Sequence, residues 1–182
     1  MTSINIRKAV ISDIQSIYKI IIHYSRHDLM LARPLSELYN HMREYFVLEK
    51  KDLLDTETAR SDFDGKIRQQ GMDKRGKKEG EIRGVCGLGI YWEDLAEIKS
   101  LAVCEDQQGA GWGGSLVKAC LTEARQLGIQ KIFTLTSAPD FFIKSGFKVV
   151  DKSVLPQKIW ADCVKCPKFP DNCDETALTI DL

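Results

Sequence analysis

The stretch Gln108-Gly109-Ala110-Gly111-Trp112-Gly113-Gly114 combines residue types and spacing that suit a pyrophosphate. Glycine lets a backbone turn tightly and approach a ligand with no Cβ in the way. The apolar Leu101-Ala102-Val103 before it reads as the end of a strand, and the segment after it as an amphipathic helix. A helix start offers unpaired N–H groups and the positive end of a dipole to an anion. No Gly-Lys-Ser/Thr follows, which excludes a P-loop, and several elements precede the turn, which excludes a first-strand dinucleotide site. A glycine-rich loop with no ligand is the competing reading of the turn taken alone. A second constellation is Cys163-x-x-Cys166 with Cys173, the spacing of part of a structural zinc site. Zinc wants four ligands, so Asp174, Glu175, Cys86 or a histidine would have to supply the fourth. Packed or redox-sensitive thiols are the alternative to a metal. His23, His27 and His41 read as surface or core residues rather than ligands.

These groups need a frame to position them. Ile4–Arg7 alternates like a strand, and Ser12-Asp13-Ile14-Gln15 has the pattern of a capping box. Ile14, Ile17, Tyr18, Ile21 and Ile22 then share one helical face. A short helix is expected after Ser36, with Leu38 and Met42 inward, and a short strand over Tyr45–Leu48. Gly84–Trp92 reads as a strand whose small residues pack closely, and Ala96–Val103 as another. Trp112–Leu127 is expected to be a helix ended by Gly128. Lys131–Thr136 follows as a strand, Asp140–Ser145 as a short helix, and Phe147–Val150 as a further strand. The order is mixed α/β. Between Lys50 and Gly80, 16 of 31 residues are charged. That segment is too polar for a core of its own and is expected to be a mobile surface insertion, with a partial helix over Leu53–Ile67. A partner-binding or regulatory loop is the alternative.

The bulk numbers bound the function classes. A chain of 182 residues suits one domain, and 43% hydrophobic residues suit a packed core. Lys+Arg and Asp+Glu are equal at 26 each, so no net field attracts nucleic acid or anionic lipid. No apolar run reaches the roughly 20 residues of a membrane span. The start carries no apolar signal core, so a cytoplasmic protein is expected, with its six cysteines not in disulfides.

Three segments in order carry a family resemblance. Gln108-Gly109-Ala110-Gly111-Trp112-Gly113 fits the pattern Gln/Arg-x-x-Gly-x-Gly/Ala of the GNAT superfamily of N-acetyltransferases. Ala96-Glu97-Ile98-Lys99-Ser100-Leu101-Ala102-Val103 resembles the strand of that superfamily that splays from its neighbour. Pro139 to Phe147 resembles its later helix ending in Gly-Phe. Over residues 4–155 the resemblance implies a GNAT fold, a mixed central sheet flanked by helices, as one domain of residues 1–155. Residues 156–182 would form a cysteine-bearing extension packed on it. Leu155 to Pro170, with Cys173-Asp174-Glu175, is similar to the C-terminal signature of short stand-alone amino-acid N-acetyltransferases of the N-acetylglutamate synthase type. Leu31 to Tyr39 is similar to their acceptor segment, although the order here is Ala32-Arg33-Pro34.

The resemblance implies acetyl-CoA as cosubstrate, glutamate as acceptor and a role in the first step of arginine synthesis. Backbone groups of Leu101, Ala102 and Val103 would hold the pantetheine arm. Amides of Gln108, Gly109, Ala110, Gly111, Trp112, Gly113 and Gly114 would hold the pyrophosphate, with Phe142 beside the cofactor. Lys144 could reach a phosphate. Arg33 and Lys158, with Ser100, would bind the acceptor carboxylates. Glu97 would take the amine proton, directly or through water, and an N–H of Ala102 or Val103 would stabilise the oxyanion. Many relatives protonate the leaving thiolate with a tyrosine; Phe141 and Phe142 stand here instead, leaving Thr136 or Ser137 for the task. Cys104 has no histidine partner in the motif, so direct transfer in a ternary complex is expected rather than an acyl-enzyme. A homodimer is also implied. The alternatives are another small amine or a protein N-terminus as acceptor, or a CoA-binding regulatory module without turnover.

Overall fold

The computed structural model describes residues 2–52, 80–156, 163, 164, 166, 168, 169 and 171–182. Most of the expected insertion, the partial helix within it, and Lys158 lie outside the described residues. Strands β1 (Thr2–Lys8), β2 (Tyr45–Asp52), β3 (Glu81–Ile90), β4 (Leu95–Val103), β5 (Lys131–Thr136), β6 (Lys148–Val150) and β7 (Thr176–Asp181) form one sheet in the order β1-β2-β3-β4-β5-β7-β6. The first four run antiparallel, β4 and β5 are parallel, and β7 is antiparallel to both β5 and β6. A parallel pair needs a crossover. Helix α3 (Trp112–Gln126) supplies it, beside α1 (Ile14–Ser25), α2 (Leu35–Asn40) and α4 (Pro139–Lys144).

The period of two along each strand sends alternate residues to opposite faces. On one face Cys86, Leu88, Ala96, Ile98 and Ile132 pack against Leu116, Val117, Cys120 and Leu121 of α3. On the other, Tyr45, Val47, Val85 and Ala102 pack against Ile14, Ile17 and Ile21 of α1 and Leu38 of α2. A smaller cluster of Leu95, Phe133, Leu155 and Ala177 is separate from these. Burial explains why α1 forms with five isoleucines. Each fully buried side chain contributes about 1.5–3 kcal/mol, against a helix-propensity deficit of at most about 0.7 kcal/mol per residue.

The start of α1 differs from the capping box expected at Ser12. A 3-10 turn over Ile11–Asp13 precedes it, and Asp13 points inward while Ser12 is exposed. The Asp13 carboxylate accepts the Val10 N–H at 2.8 Å and both arms of the Arg7 guanidinium at 2.6 and 3.0 Å. Arg7 also pairs with buried Glu49 of β2 at 3.0 Å. Asp13 thus takes the N-cap position in place of Ser12, fixed by its charged pairing with Arg7 rather than by a side-chain hydrogen bond to the helix. Thr176–Asp181, expected as part of a packed extension, is a strand within the sheet.

Candidate active site

The feature that opens a site in this sheet is the parting of β4 from β5. Their ladder runs Leu95↔Lys131, Ala96↔Ile132 and Glu97↔Phe133, then ends. A bulge reinforces the divergence. Between the pairs Val85↔Ala102 and Gly87↔Lys99, the single residue Cys86 faces both Ser100 and Leu101. Ser100 takes a φ of +52°, a left-handed conformation costing a non-glycine residue about 1–2 kcal/mol. Its hydroxyl is hydrogen-bonded to that of Tyr45, whose pKa burial pushes up to about 12 against the opposing pull of Arg33 and Ser100.

The glycine turn sits at the end of β4. Gly109 and Gly111 have φ of +76° and +83°, and Gly111 caps the N-terminus of α3. The Gln108 side chain donates to the Val103 carbonyl at 2.8 Å and to the Tyr24 hydroxyl at 3.1 Å. Tyr24 itself donates to the Val103 carbonyl at 2.6 Å, so that carbonyl is already engaged. A Cβ built on Gly109, Gly111 or Gly114 would meet nothing within 4 Å. The unpaired amides of the first turn of α3 therefore adjoin open space, and the cradle fits a pyrophosphate. Its acidic flank is partly offset: Glu105 pairs with His23 at 2.9 Å, and Asp106 lies 3.8 Å from Arg83. Phe142 is buried in the core, edge-on to Phe147, and does not line the cradle surface. The Phe141 ring lies 3.3 Å from a Cβ placed on Gly113. Lys144 is exposed on α4.

The other half of the site follows from register. Gly87 lies opposite Lys99 and Gly89 opposite Glu97, and Tyr45 lies opposite Gly87. Opposite residues of an antiparallel pair share a face. Glu97 and Lys99 therefore join Tyr45 on the α1–α2 face. Glu97 is 8% exposed, and its Oε2 accepts the Tyr91 hydroxyl at 2.9 Å. Arg33, 6% exposed, donates to Glu37 at 2.6 Å and lies within the field of Tyr45. A buried carboxylate, a buried guanidinium and a largely buried ammonium thus share one side of the sheet. Sequence reasoning missed Lys99, Tyr91 and Tyr45; the i, i+2 spacing of Glu97 and Lys99 on one strand was the signal available.

Thr136 ends β5, and its Oγ1 accepts the Ala138 N–H at 3.0 Å, which leaves its own proton available; Ser137 is exposed. Residues after β6 approach the same face. Lys168 donates to the Asp28 carbonyl at 3.2 Å and pairs with Asp174 at 2.9 Å, tying this segment to the α1–α2 connection. Lys152 donates to Cys173 Sγ at 3.2 Å. Burial, then the field of Glu175 and more weakly that of Glu97, pushes the Cys163 thiol up. Among the described residues no group of three or more histidine, cysteine, aspartate or glutamate side chains could hold a metal, so Cys163, Cys166 and Cys173 form no such cluster there. All six cysteines are free. Cys86 and Cys120 face each other in the core at 3.5 Å, and the other four are partly exposed. The native protein is expected to show four accessible thiols to an aromatic disulfide reagent, with the last two reacting only on unfolding. Six rapid equivalents in the native state would contradict this core. No described helix is long and apolar enough to cross a membrane.

Comparison with known proteins matches this arrangement. The acetyltransferase (GNAT) family model matches residues 35–147. An uncharacterized N-acetyltransferase of Chlorobaculum tepidum is 31% identical over 173 residues, covering 95% of this chain and 93% of its own length. The amino-acid acetyltransferase of Mycobacterium tuberculosis is 26% identical over 155 residues, covering 85% of this chain and 74% of its own length. In shape, N-acetylglutamate synthase from Neisseria gonorrhoeae, solved with coenzyme A and N-acetyl-glutamate, superposes with a TM-score of 0.75. That likeness, at 23% identity over 99% of this chain and 35% of the other, is one of fold. The matched family span takes in the diverging strands, the glycine cradle and α2 to α4, and the chain belongs to the acetyltransferase (GNAT) family.

Proposed function

We infer that the protein transfers the acetyl group of acetyl-CoA to the α-amine of L-glutamate by direct attack in a ternary complex. The observation that carries this reading is the pairing of a buried carboxylate, Glu97, with a buried guanidinium, Arg33, on one sheet face where β4 leaves β5. The names of the relatives and the ligands of the Neisseria enzyme support it. Acetyl-CoA supplies an acyl group activated as a thioester. The amides of Gln108 to Gly114 hold its pyrophosphate, and backbone groups of Leu101–Val103, past the point where β4 leaves β5, hold the pantetheine arm, the Val103 carbonyl being taken up by Tyr24 and Gln108. An N–H of Ala102 or Val103 polarises the acyl carbonyl. Glu97 takes a proton from the acceptor ammonium, which is mostly charged near neutral pH. The new bond joins nitrogen to the acyl carbon, the carbon–sulfur bond breaks, and the second proton of the nitrogen passes to the departing sulfur, which leaves as thiol, with the hydroxyl of Thr136 or Ser137 assigned to relay it. Arg33 pairs a carboxylate two oxygens at a time, with Ser100 as a further acceptor contact and Lys158, outside the described residues, as the other candidate.

The test is acetyl-CoA-dependent thiol release with glutamate, set against aspartate, glutamine, ornithine, spermidine and no acceptor. Release with glutamate well above the others supports the reading. Release only with another amine keeps the chemistry and discards glutamate, and acetyl-CoA binding without release discards turnover.

The cradle has its own test. Gly111→Ala forces alanine into a left-handed conformation, at about 1–2 kcal/mol, and puts a methyl group where the amides approach the phosphates. The Kd for CoA measured by calorimetry is expected to rise about tenfold, with a fall in Tm of about 2–8 °C. An unchanged affinity would remove the cradle from the cofactor site.

A further inference from the structure

Resting on the acetyl-transfer reading above, we propose that Lys99 selects the acceptor by holding its side-chain carboxylate. The Lys99 stem does not run out to solvent. It folds back across β3, where Gly87 and Gly89 leave no side chain beneath it: an added Cβ would lie 3.2 Å from Lys99 Cγ at Gly87 and 2.8 Å from Nζ at Gly89. Gly89 is the residue directly opposite Glu97. The ammonium is thus carried back to the row of the sheet that holds Glu97, displaced by about one strand spacing, ~4.8 Å. That offset suits an amino acid whose amine meets Glu97 while a carboxylate several bonds away meets Lys99. Arg33 is left for the α-carboxylate.

A largely buried ammonium needs a counter-ion, and the one present is exchangeable. Glu44, from the 3-10 turn Met42–Glu44, reaches Lys99 with Oε2 at 2.9 Å while its Oε1 contacts His41 Nδ1 at 2.7 Å. The Lys99 side chain is 11% exposed and Glu44 24%, and the Oε2 that meets the ammonium is itself buried and held there as an ion pair without a hydrogen bond, so little besides charge fixes it. An incoming acceptor carboxylate can take its place, with Glu44 retained by His41.

The test compares glutamate with glutamine, which differ in charge at the distal group, in the wild-type protein, Lys99→Met and Glu44→Gln. Lys99→Met is expected to lower kcat/KM for glutamate about 10- to 100-fold, and that for glutamine by less than about threefold, so that the preference for glutamate collapses. Glu44→Gln, which leaves Lys99 in place and so reports even if Lys99→Met is unstable, is expected to lower the KM for glutamate several-fold and leave that for glutamine unchanged. Equal losses on both acceptors in Lys99→Met, or no change in preference in Glu44→Gln, would make the Lys99–Glu44 pair structural and overturn the assignment while leaving glutamate acetylation intact. No turnover of glutamate by the wild-type protein would overturn both.

Discussion

Glu97→Gln is expected to lower kcat for amine acetylation by about 10²–10⁴-fold, the range in which a positioned general base contributes. The substitution is nearly isosteric and keeps an oxygen to accept the Tyr91 hydroxyl, now at 2.9 Å from the carboxylate. Packing between the apolar clusters around Leu95 and Tyr45 should therefore persist, and Tm and CoA affinity should change little. The amide cannot take a proton from an ammonium. Residual activity must then come from the fraction of acceptor already deprotonated, so the loss should shrink as pH rises and be largest below neutrality. Tyr91→Phe leaves the carboxylate in place but removes one of its hydrogen bonds; it should lower kcat more modestly, by about 3- to 30-fold. Wild-type turnover by Glu97→Gln across the pH range would remove Glu97 from proton transfer.

Arg33→Ala is expected to raise the acceptor KM by about 30-fold to several thousand-fold, the cost of truncating a buried charge that pairs with a ligand. The side chain is 7% exposed and already engages Glu37 in an i, i+4 pair across α2. Removing it leaves Glu37, only 25% exposed, without that partner, so some of the damage will be structural. The double variant Arg33→Ala with Glu37→Gln separates the effects: Tm should recover while KM remains high. Arg33→Lys keeps the charge but loses the planar fork and should fall between. A KM for glutamate that follows Tm through the series would assign Arg33 to the fold instead.

Local signals made much of this architecture legible. The cradle, α3 and β5 depend on glycine spacing, on a 3.6-residue apolar period and on a short alternating run, and the structure puts Trp112–Gln126 and Lys131–Thr136 almost where the sequence does. What was not legible depends on register. The closeness expected around the glycines of β3 is real, yet what fills it is a lysine from the next strand, joined at Gly87 by the Tyr45 ring, which only the pairing of Gly87 with Lys99 and Tyr45 reveals. Thr176–Asp181 alternates as a strand should, but its place between β5 and β6 is a long-range choice. Asp13 rather than Ser12 stands at the N-cap position of α1, turned inward because Arg7, on β1, is there to meet it. On the short α4 adjacent residues point in different directions, so that Phe142 turns into the core while the partly buried Phe141 lies toward Gly113, a phase that six residues of sequence do not reveal.

The position of β7 bears on how the chain folds during synthesis. β5 and β6 are not paired with each other; β7 lies between them, and it is made last of the three. Until residues 176–181 emerge, β5 has no partner on its far side and β6 has none at all. Contacts so distant in sequence form slowly, and an unpaired strand is a template for other chains in the meantime. The half of the sheet that carries Phe133 beside Glu97 is therefore the last to close. A nascent chain can complete the β1–β4 meander, and with it the row of Gly89 and Glu97, well before the opposing wall of the site exists.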